Sequence, residues 1–151
     1  MKLFIGLGNY GDQYAHTRHN AGFEVIDRLS DRWHIPVTRA RCHGLIGEGT
    51  VGGERVALIK PQTYMNLSGD CVAAAMQWYK VQPQDVMIFS DDIDLELGTL
   101  RVRPFGGSGT HNGWRDILLK TGSDRFPRIR IGVGARPTFW NLADWVLSRY
   151  Q

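Results

Sequence analysis

The fold is decided by the stretch Leu7–Gly22, which reads LGNYGDQYAHTRHNAG. A short apolar segment that ends at Leu7 predicts a first β-strand, and a helical pattern follows the stretch. Glycines at positions 6, 8 and 11 permit backbone shapes that other residues avoid. Because α/β proteins bind ligands in loops at the carboxyl ends of strands, this loop is a candidate site.

Outward from this loop, strands and helices alternate along the chain. Gly52-Gly53 indicates a tight hairpin, and Ser68 is a candidate helix cap. We predict strands near 2–7, 44–51, 55–59, 86–89, 99–103 and 128–133, and helices near 20–33, 68–79, 112–120 and 140–150. The pattern predicts a single α/β domain with a twisted, mixed and mostly parallel β-sheet that is sandwiched by α-helices.

Composition limits the classes of function. The chain has 151 residues, 42% hydrophobic and 22% charged, which is typical of one globular domain. It contains no apolar segment of membrane-spanning length, so we expect no membrane association. Cys42 and Cys71 lack CxxC spacing, which indicates free thiols in a reducing, cytoplasmic setting. The net charge of +3 is compatible with a polyanionic partner.

Four polar loops carry the residues suited to chemistry, and three of them follow a predicted strand. The sequence has no GxSxG elbow, HExxH motif or Cys/His cluster, which favours a hydrolase that uses water directly, without a covalent intermediate, a metal or another cofactor. The loops supply Asn9, Tyr14 and His19; Tyr64, Met65 and Asn66; Asp91, Asp92 and Asp94; and Ser108, His111 and Asn112.

His19 is the best candidate for a general base, because imidazole titrates near neutral pH. A loop histidine that only caps a helix would fit the same pattern. A carboxylate would orient the imidazole, and composition alone leaves Asp91, Asp92 and Asp94 as alternatives.

Four segments, in order, resemble the bacterial peptidyl-tRNA hydrolase family. They are GLGNYGDQYAHTRHNAG around Asn9 and His19, KPQTYMNLSG at Lys60–Gly69, SDDIDLELG at Ser90–Gly98 and GGSGTHNGWRD at Gly106–Asp116. The resemblance implies the same α/β architecture and a hydrolase that cleaves the ester between a peptide and the 3′ ribose of tRNA, which releases tRNA for reuse in translation. It also implies that His19 is the catalytic base and that Asp91 is its partner.

The resemblance assigns further residues to the substrate. Asn9 matches a catalytic-site position that separates blocked from free aminoacyl ends, and Asn66 and Asn112 match asparagines that contact the tRNA end and the carbonyl. Tyr14 and Tyr64 match contacts to the 3′ end of tRNA. By position alone, each of these asparagines could instead cap a turn or a helix, and each tyrosine could be a packing residue.

The remaining assignments concern the pocket wall and the tRNA phosphates. We expect Met65 to line the pocket. Arg103 and Arg130 match positions that clamp the 5′-phosphate end of tRNA, for which guanidinium groups are well suited. No metal ligand or cofactor is implied, and we expect a monomer whose partner is peptidyl-tRNA.

The sequence also departs from the family. Proline is usual where this chain has Tyr10, another residue is usual in place of Ser90, and family members usually continue beyond a segment like that ending at Gln151. A non-catalytic RNA-binding relative with the same fold is the alternative. A dinucleotide-binding enzyme is disfavoured, because the chain lacks the phosphate-binding fingerprint.

Overall fold

A computed structural model of the chain describes residues 1–134 and Leu147, so the helix predicted at 140–150 lies outside the described residues except for Leu147. The strands are β1 (Lys2–Gly6), β2 (Arg39–Arg41), β3 (Gly44–Val51), β4 (Glu54–Pro61), β5 (Val86–Asp92), β6 (Leu100–Arg103) and β7 (Arg128–Gly132). The helices are α1 (Ala21–Trp33), α2 (Ser68–Tyr79) and α3 (Asn112–Thr121). In this part of the chain, no helix combines the length and apolar character needed to cross a membrane.

The strands form one seven-stranded sheet in the order β2-β3-β4-β1-β5-β7-β6. The four central strands are parallel, with β1 between β4 and β5 and with β7 beside β5. Antiparallel strands extend the sheet at both edges. On one side β3 pairs with β4 and β2 pairs with β3, and on the other side β6 pairs with β7. The predicted mixed sheet in a single α/β domain is confirmed, and its central strands all end at the same edge.

Each face of the sheet is covered by an apolar cluster. On one face, Val72 of α2 and Ile117 of α3 pack with Leu3 and Ile88. On the other, Ile26 of α1 packs with residues that include Phe89. Helices therefore cover both faces, and the amino-terminal ends of α1 and α3 are both held near the carboxyl ends of the central strands.

Helix α1 approaches the sheet closely at Gly22. A Cβ atom at this position would lie 2.5 Å from Leu7 N and 2.5 Å from Phe89 O. These two backbone atoms are themselves hydrogen-bonded at 2.9 Å, where β1 leaves the sheet beside β5. Glycine is therefore required at position 22, and it sets the position of the loop that precedes α1.

Several local predictions differ from the structure. Strand β5 continues through Asp91 and Asp92, which were expected in a loop, because β7 pairs with it as far as Asp92. Ser68 is the first residue of α2 and not its cap, and its hydroxyl donates to Met65 O. Strand β2 was not predicted, because Arg39–Arg41 has no apolar alternation and only extends the hairpin edge.

We predict that Gly22→Ala destabilises the fold. The methyl group would overlap backbone atoms that cannot move aside, and overpacking of this kind costs about 1–3 kcal/mol or more. That cost exceeds the roughly 1 kcal/mol gain in helix propensity from glycine to alanine. Urea unfolding measures the change. Gly107→Ala is the control, because a Cβ atom there meets open space, and equal stability of the two variants would contradict the predicted close contact.

Candidate active site

A cleft of about 480 Å³ lies at the edge where the central parallel strands end. Its wall brings together loops that follow β1, β4 and β5 and the segment that leads into α3. Seven of the ten residues to which the sequence analysis gave a role line this cleft: Asn9, His19, Met65, Asn66, Asp91, Asn112 and Arg130. The polar-loop residues Asp92, Asp94, Ser108 and His111 line it as well.

His19 and Asp91 are in direct contact at the base of the cleft. His19 belongs to a 3₁₀ turn, Arg18–Asn20, immediately before α1, and its Nδ1 lies 2.8 Å from Asp91 Oδ2. The side chain of Asp91 is only 2% exposed, and that of His19 is 12% exposed. Asp92 instead accepts the backbone N–H of Asp94, and His19 pairs with Asp91 rather than with either of these two carboxylates in the described part of the chain.

A second imidazole binds the same carboxylate. His111 Nε2 lies 2.8 Å from Asp91 Oδ1. His111, and not Asn112, caps α3, because its Nδ1 accepts the backbone N–H of Trp114 at 3.3 Å. With Nδ1 acting as an acceptor, the proton resides on Nε2 and is donated to Asp91. The sequence analysis assigned no role to His111, although a histidine directly before Asn112 in a polar loop was a usable signal.

The environment of Asp91 keeps it ionised. Burial opposes the charge, but the attraction and hydrogen bonds of His111 and His19 outweigh it and hold the pKa of Asp91 well below its usual range. Because this pKa is lower in the folded than in the unfolded chain, ionisation stabilises the fold above about pH 4 and the benefit is lost only in stronger acid. Asp91 is therefore an anion throughout the neutral range.

Asn9 is fixed with its amide nitrogen available to the cleft. Its Oδ1 accepts the backbone N–H of Met65 at 2.6 Å. The side chain of Asn20 holds the backbone of Asn9 through two further hydrogen bonds, of 2.7 and 2.8 Å. The Nδ2 group of Asn9 makes no hydrogen bond to the described residues, so a donor remains for a ligand.

The other two asparagines are more exposed and lie on different walls. Asn66 follows the buried Met65 in the loop after β4. Asn112 begins α3 beside His111. Both line the cleft, which also has the indole of Trp114 on its wall. Amide groups from three segments of the chain thus line the cleft that contains the His19–Asp91 pair.

The two tyrosines lie outside the wall, at its rim. Tyr64 is 44% exposed, and Tyr14 meets its ring at a centroid distance of 6.1 Å and an angle of 73°. Tyr10 stacks on Tyr64 with ring centroids 4.8 Å apart. The aromatic rim therefore contains three rings, of which the sequence analysis singled out two.

Arg103 and Arg130 differ in their position relative to the cleft. Arg130 lines the cleft, where it lies 3.7 Å from Asp92 and donates to Gly107 O at 3.2 Å. Arg103 is exposed on edge strand β6 and is not part of the cleft wall. The pairing of β6 with β7 places Arg101 opposite Arg130 and Arg103 opposite Arg128. Since alternate residues share one face of a strand, Arg101, Arg103 and Arg130 form a basic strip that leads away from the cleft, whereas Arg128 on the same face is fully buried.

The same cluster could bind a metal ion. One ligand atom each from His19, Asp91 and His111 lies within 4.8 Å of the others, and this is the one such group in the part of the chain that the structure describes. Both histidine nitrogens already face a carboxylate oxygen at hydrogen-bond distance. A metal ion at this place would have to displace both protons.

Several known proteins are similar to this chain in sequence and in fold. The family model described as peptidyl-tRNA hydrolase matches residues 3–151. The peptidyl-tRNA hydrolase of Lachnospira eligens is 49% identical over 99% of this chain and 81% of its own length, and that of Alkaliphilus oremlandii is 52% identical over 99% and 80%. The crystal structure of the peptidyl-tRNA hydrolase from Acinetobacter baumannii is 38% identical and superposes with a TM-score of 0.95 over 100% of this chain and 77% of that chain. The chain belongs to the peptidyl-tRNA hydrolase family.

Proposed function

We propose that the cleft binds the ester that joins a peptide to the 3′ ribose of tRNA, and that His19 activates the water that cleaves it. Membership of the family makes the chain a hydrolase of ester bonds. The observation that carries the proposed mechanism is the 2.8 Å contact between His19 Nδ1 and Asp91 Oδ2. It supports a neutral imidazole whose Nε2 lone pair is directed away from the carboxylate.

In this mechanism, water gives a proton to His19 Nε2 as its oxygen adds to the ester carbonyl carbon. Collapse of the tetrahedral intermediate breaks the bond to the ribose oxygen, which takes the proton back from the imidazolium. Asp91 stabilises the imidazolium between these two steps. His111 is a positioning residue, since its N–H holds the second carboxylate oxygen and so fixes the orientation of Asp91.

The asparagines have complementary roles in this proposal. Asn9 Nδ2 donates to the carbonyl region of the peptide, because its Oδ1 is already used by Met65. Asn112 lies beside His111 and supports a second donor to the oxygen that becomes negative. Asn66, on the wall that follows β4, holds the tRNA end next to Met65.

We propose that the reaction needs no metal ion. Both imidazoles that could ligate one already donate to Asp91, and the mechanism uses those protons. We also propose that the protein acts as a monomer, because the mechanism needs no residue beyond those of this chain. Because peptidyl-tRNA is produced by translation, we expect the enzyme to act in the cytoplasm.

The basic strip and the aromatic rim are proposed to hold the RNA. Arg103 and Arg130 present guanidinium groups on one face of β6 and β7, which suits the phosphates at the 5′ end of tRNA. Tyr14 and Tyr64 lie at the rim, where unpaired bases of the 3′ end would enter the cleft.

We predict that His19→Ala lowers turnover of N-blocked aminoacyl-tRNA by about 10²–10⁴-fold or more, because the general base is removed. Steady-state hydrolysis, measured in excess chelator, tests the base and the metal proposal together. The control is His34→Asn, which changes a left-handed position at the end of α1 to a residue that tolerates this conformation. Normal turnover by folded His19→Ala would contradict the mechanism, and loss of wild-type turnover in chelator would contradict metal independence.

We predict that Asn9→Asp reduces the preference for N-blocked over free aminoacyl-tRNA. The carboxylate can still accept the Met65 N–H but cannot donate to the peptide, and a site that loses a hydrogen-bond partner loses discrimination. The measurement is kcat/KM on both substrates. Asn112→Ala is the comparator and should lower both values alike. An unchanged ratio in Asn9→Asp would assign Asn9 to structure alone.

We predict that Arg103→Ala and Arg130→Ala raise KM for full-length peptidyl-tRNA more than they lower kcat. Each lost phosphate contact should reduce the salt slope of binding by about one. A substrate that carries only the 3′ end should be nearly unaffected. Arg32→Ala, on the exposed side of α1, is the control. Equal losses on long and short substrates would show that these arginines do not bind the 5′ phosphate.

A further inference from the structure

The rings of Tyr10 and Tyr64 form an exposed stack at the rim of the cleft. Their centroids are 4.8 Å apart and their planes differ by only 20°. Yet Tyr10 is 39% exposed and Tyr64 is 44% exposed. Packing that leaves so much of two aromatic rings in water buries little area, so it is a weak reason for an aromatic residue at position 10.

This stack is one half of a bridge between two loops. The other half is the 2.6 Å hydrogen bond from the Met65 N–H to Asn9 Oδ1, made by the neighbouring residues of the same loops. The Asn9 backbone is held in turn by Asn20. Tyr10 is therefore attached to a fixed backbone directly beside the cleft, although its ring is open to solvent.

The arrangement leaves Tyr10 as the outer ring of the cluster. Tyr64 has Tyr10 against one face and Tyr14 at a steep angle, 73°, on another side. Among the described residues, Tyr64 is the one ring that contacts Tyr10, and the 39% exposure of Tyr10 leaves part of its surface accessible to a ligand. A flat ligand that reaches the rim can therefore contact the exposed surface of Tyr10.

We infer that Tyr10 is a substrate-positioning residue whose exposed ring stacks on an unpaired base of the RNA 3′ end. The inference rests on the proposed function, which brings a single-stranded RNA end to this rim. Stacking on an aromatic ring suits such an end, because every base has a flat face and needs no specific hydrogen bond.

The test measures binding of the unreactive trinucleotide CCA by NMR titration, together with matched trinucleotides in which one base at a time is replaced by hydrogen. For wild-type protein, removal of one base should weaken binding by roughly fivefold or more, as is typical of a stacked base. In Tyr10→Leu, which keeps an apolar side chain against Tyr64 but has no aromatic face, CCA should bind more weakly and that base should no longer matter. Tyr10→Phe keeps the ring and should restore the base dependence.

The same experiment separates this inference from its rivals. An equal loss on base removal in wild type and Tyr10→Leu, or no loss in wild type, would overturn the stacking role. Tighter binding of CCA by Tyr10→Leu would also overturn it, because Tyr10 would then cover Tyr64. Hydrolysis of N-blocked aminoacyl-tRNA by the wild type is measured separately, so its failure would refute the proposed function while base-dependent binding could still be observed.

Discussion

The structure depends on one buried anion. Asp91 is the penultimate residue of a central strand and is almost wholly removed from solvent, an arrangement that would cost several kcal/mol without partners. His19 and His111 supply one N–H to each oxygen of its carboxylate. The first comes from the turn before α1 and the second from the cap of α3, so helices on opposite faces of the sheet meet at a single side chain.

Close packing makes that meeting possible. Gly22 brings α1 against the backbone where β1 and β5 separate, which carries His19 to the end of β5. On the other face, Asp116 of α3 accepts the backbone N–H of Gly69 in α2 at 2.7 Å, and α3 therefore has a fixed position. The site is precise because its histidines stand at the ends of packed helices and not on free loops.

Periodicity predicted most of the fold, because the central strands are apolar and the helices have clear faces. It placed the Gly52-Gly53 hairpin correctly, and both glycines have positive φ. It failed where tertiary contacts determine the length of an element. Strand β5, for example, extends through Asp92 because it pairs with β7. His19 and Asp91 could be found from their chemical types and motifs, whereas the position of His111 in a polar loop before a helix fits a capping residue as well as a site residue. It is both: the N–H that it accepts through Nδ1 sets the tautomer with which it holds Asp91.

The glycine-rich rim is connected to the same anion through a buried cation. Arg128 is fully buried, forms no ion pair with the described carboxylates, and donates to Gly106 O and Gly107 O. Burial, with the nearby charge of Arg130, lowers its pKa to about 10, so it remains charged at neutral pH. Its guanidinium lies 3.6 Å from the ring of Trp114, whose Nε1–H donates to Ser90 beside Asp91. The loop that borders the cleft is thus held by hydrogen bonds from a buried guanidinium, and the same guanidinium packs on the indole that binds Ser90 beside Asp91.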